Sequence, residues 1–252
     1  MDPKNRFWEI DLTRGIAIIA MVAYHLSYDL NYFNVYGVDI NSGFWWYLAR
    51  STAVTFLLLV GVSLTLSYSK TKIQTPEKNT YRKYLKRGFD IFMLGLAITA
   101  TTWLLLEEGT ILFGILPLIG VSIILAYPFL QYRYLNLIAG VIIISIGIHL
   151  KSVTINSPYL FWMGLRPEYF YTLDYFPILP WFGVILIGLF LGNLLYYNST
   201  RMFNLWNQPK NPIVTLFCLI GRHSLPIYLA HQPVLITTLH VFGIIEFITQ
   251  LP

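Results

Sequence analysis

Arg14 and His25 stand in one apolar stretch, Ile10–Leu30, with ten residues between them. If that stretch is a helix, steps of about 100° bring the two side chains within roughly 20° of each other and about 16 Å apart along the axis. Asp11 precedes Arg14 by three positions and Asp29 follows His25 by four, both neighbour spacings on a helix. One stripe therefore reads Asp11, Arg14, His25, Asp29. A guanidinium held by a carboxylate is a phosphate ligand, because it donates in a fixed fork. An imidazole with a carboxylate one turn away can be fixed in tautomer and orientation and take a proton from an attacking hydroxyl or amine. Blander readings stand beside these: Arg14 snorkelling to an interface with a local Asp11 pair, His25 in a helix–helix hydrogen bond, and Asp29 at a solvated helix end.

Further candidates lie elsewhere in the chain. Arg50, placed at a depth close to that of His25, could pair with Asp29, bind an anionic substrate or serve a structural ion pair. Arg87 and Asp90, with Lys83 and Lys86, form a basic group near the expected level of Arg14 that equally suits plain anchoring at the membrane surface. Gly221-Arg222-His223-Ser224 opens the last apolar segment, which continues to His231-Gln232-Pro233. Arg222 joins Arg14 and Arg87 as a candidate cofactor ligand. Pro233 cannot donate to the carbonyl of Leu229, which predicts a local break or kink there. His231 beside that break could face the same cavity as His25 and contact a substrate, or simply satisfy the released carbonyl. His149 and His240 fall towards helix ends. No metal-ligand spacing is present, so no metal is expected.

The elements that must position these residues are membrane helices. Of 252 residues 56% are hydrophobic and only 12% charged, about half the charge of a soluble domain. That excludes a disordered chain and, despite a formal charge of +5, a conventional nucleic-acid binder. The one cysteine, Cys218, excludes an intramolecular disulfide. The first apolar run is long enough to span and no cleavable signal pattern precedes it. The expected fold is all-α, a polytopic bundle of about seven spanning helices, eight at most, each needing about 20 apolar residues. The candidate spans are Ile10–Leu30, Phe44–Ser67, Phe89–Leu106, Thr110–Leu130, Leu135–Leu150, Leu179–Tyr196 and Leu225–Phe247. Ile213–Ile220 is too short to cross and reads as interfacial or re-entrant.

If these helices alternate, Lys4, Arg6, Lys70, Lys72, Lys78, Arg82, Lys83, Lys86, Arg87, Arg133, Arg201 and Lys210 fall on one side. Asp39, Glu107, Glu108 and the sparse cations Lys151 and Arg166 fall on the other. Cationic loops stay cytoplasmic, which puts the N-terminus inside. The outside segment Ser152–Asp174 carries Tyr159, Phe161, Trp162, Tyr169, Phe170 and Tyr171. It reads as an interfacial aromatic belt or as a lid over an outward-facing site. No internal repeat supports an inverted-repeat transporter.

Ile10-Asp11-Leu12-Thr13-Arg14-Gly15 with His25 resembles the first helix of prokaryotic relatives of the heparan-alpha-glucosaminide N-acetyltransferase catalytic domain. Phe56–Leu64, Phe113-Gly114-Ile115-Leu116, Pro180-Trp181-Phe182-Gly183, Gly221–Leu225 and His231-Gln232-Pro233 extend the resemblance over nearly the whole chain. The Arg14/His25 spacing is also similar to that of the related acyltransferase-3 membrane enzymes. The resemblance implies acyl-CoA, most often acetyl-CoA, bound from the cytoplasm, and an acceptor, often a sugar, on the far side of the cell membrane. It implies a cofactor-binding role for Arg14 and a role as base or acyl acceptor for His25. Pro117 departs from the family pattern, which carries a polar residue, often histidine, at that position. The other function classes left open are a permease using the same cavity and a non-catalytic membrane subunit. The lipid-facing bundle is compatible with a homodimer.

Overall fold

The computed structural model describes residues 6–37, 39–74, 80–106, 109–155, 157–206 and 211–245. Lys4, Lys78, Glu107, Glu108 and Lys210, used in the loop-charge reading, lie outside these residues, as do the last two positions of the Leu225–Phe247 run. Helix accounts for 73% of the described residues, with almost no strand among them, so the fold is all-α. The helices are α1 (Trp8–Tyr32), α2 (Gly43–Gln74), α3 (Tyr81–Leu105), α4 (Ile115–Leu125), α5 (Tyr134–Leu150), α6 (Ile178–Leu195), α7 (Pro212–Arg222) and α8 (Ser224–Val241). The contacts divide into two units, Met1–Phe56 with Leu205–Pro252, and Leu57–Asn204.

In the first unit α1 packs against α7 and α8. Glu9 and Asp11 occupy the first turn of α1, where negative charge complements the helix dipole. The α7 start is built locally: Asn211 accepts from the Ile213 N–H at 2.8 Å and Pro212 takes the first helical position, where a missing N–H costs nothing. Before α2, the Asp39 carboxylate accepts from the Asn41 N–H at 3.0 Å and from the Ser42 hydroxyl. Those two bonds hold its pKa below the ordinary value.

The second unit packs α3 on α4 and α5 on α6, with α4 also touching α6. Leu57, Leu64, Leu118, Ile123, Leu130, Ile185, Leu186 and Leu189 are fully buried in it. After α6 a two-residue hairpin joins β1 (Tyr196–Tyr197) to β2 (Thr200–Arg201). Asn198 and Ser199 at its tip both have positive φ, as a type I′ turn requires. The aromatic segment before α6 splits in two. Phe161 and Phe170 join Phe113 and Tyr175 in a ring cluster, and the Tyr175 hydroxyl donates to the Phe161 carbonyl at 2.5 Å. Tyr159, Tyr169 and Tyr171 face outward.

Four helix pairs meet at pairs of glycines. A side-chain carbon on Gly15 would fall 2.0 Å from the Phe217 carbonyl oxygen, and one on Gly221 1.9 Å from that of Asp11, so α1 and α7 touch backbone to backbone. Gly61 and Gly188 do the same for α2 and α6, Gly88 and Gly120 for α3 and α4, and Gly140 and Gly183 for α5 and α6. Lipid tails are as apolar as leucine, so helices in a membrane associate through close packing, which small residues permit. Thr65 uses one such approach, its hydroxyl lying 3.2 Å from the Gly61 carbonyl and 3.3 Å from the Leu189 carbonyl across the interface.

Among the described residues four helices, α1, α2, α3 and α6, are long and apolar enough to cross a membrane, and α7 with α8 makes a fifth if that bent pair counts as one span. This makes the chain a multi-pass membrane protein with a smaller secured count than the seven runs suggest. The Thr110–Leu130 run is helical only over 11 residues: residues 109–114 are non-helical and a 3-10 turn at Tyr127–Phe129 carries Pro128. At 1.5 Å per residue α4 rises about 17 Å and α5 about 26 Å, short of the roughly 30 Å of hydrocarbon. The predicted break at Pro233 is also displaced. α8 runs through Pro233, and the sharp bend, 84°, lies at His223 between α7 and α8. Pro226 explains this. Its ring would clash with the Arg222 carbonyl in a continuing helix, so the helix restarts and puts Pro226 in a first turn, where it is tolerated.

Replacing Gly188 with valine drives a carbon to within 2.4 Å of the Leu58 carbonyl oxygen and should lower stability by about 2 kcal/mol or more. Gly37→Ala, with nothing within 4 Å, should stay within about 0.5 kcal/mol of wild type. Thermal unfolding in detergent, followed by circular dichroism, reads both.

Candidate functional site

Two polar clusters sit on α1, and both are completed by α7 or α8. In the first, the Asp11 side chain is buried, with 6% of the residue exposed. Its Oδ1 accepts from Arg14 Nη1 at 3.3 Å and its Oδ2 from Arg222 Nε at 3.1 Å. One carboxylate thus gathers two guanidiniums from two helices, leaving the cluster net positive and its arginines partly exposed. The close approach at Gly15 and Gly221 makes this reach possible. Cys218 is buried beside it, its thiol donating to the Trp8 carbonyl at 3.4 Å.

In the second cluster the His25 ring lies 4.7 Å from the His231 ring, the planes inclined by 62°. Tyr24 meets His25 from the other side at 5.6 Å. Asp29, 3% exposed, accepts from Gln232 Nε2 at 2.6 Å. The His231 Nδ1 lies 2.5 Å from the Tyr228 carbonyl. A carbonyl only accepts, so Nδ1 carries the proton and the neutral ring keeps its lone pair on Nε2. That Nε2, Asp29 Oδ2 and Gln232 Oε1 are buried and have no hydrogen-bond partner among the described residues. A buried acceptor without a partner is a place where a donor binds well.

The structure thus brings together Asp11, Arg14 and Arg222 at one end of α1 and His25, Asp29 and His231 towards the other. Arg50 lies on α2, exposed, with its guanidinium carbon 5.8 Å from the Trp46 ring centre, while Asp29 takes its bond from Gln232. Arg87 belongs to the second unit. It sits on α3 one turn after Lys83, whose ammonium donates to Thr71 Oγ1 at 2.7 Å. Gln232 went unassigned in the sequence reading. Its one signal is its place between His231 and Pro233, since an amide at that point of an apolar helix needs a partner. Pro117 is buried in the first turn of α4 against Gly95, where a side-chain carbon would meet the proline ring at 2.3 Å. Pro117 is thus a packing surface for α3.

With this geometry in hand, the sequence model of the family described as heparan-alpha-glucosaminide N-acetyltransferase, catalytic, matches residues 6–233. The chain belongs to that family. No curated protein and no solved structure matches it. Members of the heparan-alpha-glucosaminide N-acetyltransferase family are membrane acetyltransferases that use acetyl-CoA as acetyl donor. The matched span contains both clusters, from Asp11 to Gln232.

Gln232→Leu would leave the Asp29 carboxylate buried without its donor and should lower stability by about 1–3 kcal/mol. Gln232→Glu, which sets two carboxyl groups together, should cost more. Unfolding in mixed micelles measures both, and unchanged stability in either variant would contradict the pairing.

Proposed function

We propose that the chain transfers an acyl group, most readily acetyl, from acyl-CoA to a hydroxyl or amine acceptor, a carbohydrate by preference. The observation that carries this reading is the pair of polar clusters on one helix, a guanidinium pair around Asp11 and a histidine pair around His25, about 16 Å apart along α1. Family membership supplies the reaction class.

Acetyl-CoA, when bound, supplies an activated thioester. Its phosphates fit the Arg14–Asp11–Arg222 cluster, because Asp11 orients both guanidiniums while the cluster keeps a net positive charge. Arg87, in the second unit, is a separate cationic candidate for the donor. His25 accepts the proton of the acceptor hydroxyl or amine as that group attacks, with Asp29 beside it. Arg50 contacts the acceptor, and the His231 ring stands beside His25. Loop charge supports a cytoplasmic N-terminus; the guanidinium cluster then lies on the cytoplasmic face of the cell membrane and His25 in the outer half of the bilayer. A permease would more often carry paired broken helices in two halves; among the described residues there is one bent pair, α7 with α8.

The purified protein should bind acetyl-CoA in isothermal titration, and Arg14→Ala should weaken binding by about tenfold or more, the loss of a charge-assisted contact of about 1.5–3 kcal/mol. His25→Ala should bind acetyl-CoA as wild type does and transfer acetyl to the acceptor, with release of free CoA, at least about 100-fold more slowly. Unchanged affinity in the first variant or retained turnover in the second would remove that residue from the mechanism.

A further inference from the structure

A histidine that moves a proton needs a group to hold its second ring nitrogen. The sequence spacing offers Asp29, one turn beyond His25. The structure offers something else. Asp29 Oδ1 is taken by Gln232, and among the described residues Asp29 makes no bond to His25. The ring that His25 meets across the helix boundary is that of His231.

The geometry points to His231 as the positioning residue for His25. The Tyr228 carbonyl takes the proton on His231 Nδ1, so Nε2 must present a lone pair. That atom is buried and without a partner, at the edge of a ring whose centre is 4.7 Å from the centre of the His25 ring. A small rotation of His25 aligns one of its N–H groups with this lone pair, and hydrogen bonds of this kind often tighten only when substrate is bound. The chain of fixed donors then runs from the His25 N–H to His231 Nε2, and from His231 Nδ1–H to the carbonyl of Tyr228. His25 is left with its other nitrogen unprotonated, the form in which it accepts a proton. This is the role that a carboxylate plays behind a catalytic histidine, filled here by a neutral imidazole whose tautomer the α8 backbone dictates. Burial favours such a partner, because a neutral acceptor carries a smaller desolvation cost than a carboxylate. Asp29 and Gln232 then hold each other and anchor α8 to α1 beside the pair.

This inference rests on the acyltransferase reading and is tested apart from it. In the full-length wild-type protein with ¹⁵N-labelled histidine, the His231 ring should show a protonated Nδ1 and bare Nε2, with a coupling from the His25 N–H across the hydrogen bond when acetyl-CoA is present. His231→Phe keeps a ring but removes the acceptor. It should lose the fixed His25 tautomer and lower kcat for acetyl transfer to glucosamine at least about 100-fold, with acetyl-CoA affinity unchanged. His231→Gln, which restores an acceptor oxygen, should recover part of that loss. A protonated Nε2 on His231, or His231→Phe turnover within threefold of wild type, overturns the positioning role and leaves the acyltransferase reading standing. Should His231→Phe fail to fold, the wild-type spectrum still decides. Wild-type protein that transfers acetyl to no sugar or amine acceptor overturns the acyltransferase reading and this role with it.

Discussion

Asp11 is the carboxylate on which the arrangement of the first unit depends. A buried charge in an apolar setting is costly unless it is paired and hydrogen-bonded, and Asp11 is bonded through both oxygens, once within α1 and once across to α7. The pairing works because Gly15 and Gly221 let the two backbones touch. A side chain at either position would push α7 away and strand the carboxylate with a single partner. Ion pairs of this kind are weak sources of net stability but strong constraints on geometry, since removing one partner leaves an unpaired charge. The constraint here is that Arg14 and Arg222 share one small region of the surface.

The same helix carries its second polar group about three turns further on, and α8 supplies the other half. Pro226 forces the restart that separates α7 from α8, and only after that restart do His231 and Gln232 meet His25 and Asp29. The contrast between the two clusters is chemical. The Asp11 cluster is rich in donors and cationic, suited to phosphates. The His25 cluster is rich in acceptors, suited to a molecule bringing hydroxyl or ammonium protons. A transferase that takes a phosphorylated donor and a proton-bearing acceptor calls for these two environments, and their separation on one rod lets the ends face different compartments in the orientation proposed.

Much of this was legible in the residues. The Arg14 to His25 interval places both side chains on one helical face, and the structure turns that face to α7 and α8. The helical class followed from composition, and the family from short motifs spread along the chain. Less legible were the partners. Asp11 at three residues from Arg14 predicts their pair, but nothing in the local pattern announces Arg222 as its second donor. Asp29 at four residues from His25 suggests an orienting carboxylate, yet Gln232, far away in sequence, takes its bond. Helix spacing encodes only what one helix brings together, while bonds between helices depend on crossing points that glycines set. The break in the last segment was misplaced for a similar reason. Pro233 looks like the disruptive residue, but Pro226 acts earlier because its ring meets the carbonyl that α7 would need to continue. The length of the fourth run was overread because hydropathy registers apolar residues without regard to whether Pro128 and the stretch before Ile115 let them stay helical.

In the proposed mechanism one helix carries donor recognition at one end and acceptor chemistry at the other, across a bilayer. Proteoliposomes of defined protein orientation, with acetyl-CoA sealed on one side and a membrane-impermeant amino sugar on the other, test it directly. The expected result is acetylated sugar when the donor faces the end of α1 that holds Arg14, and none when the two compartments are exchanged. Acetylation only when donor and sugar share a compartment would contradict it.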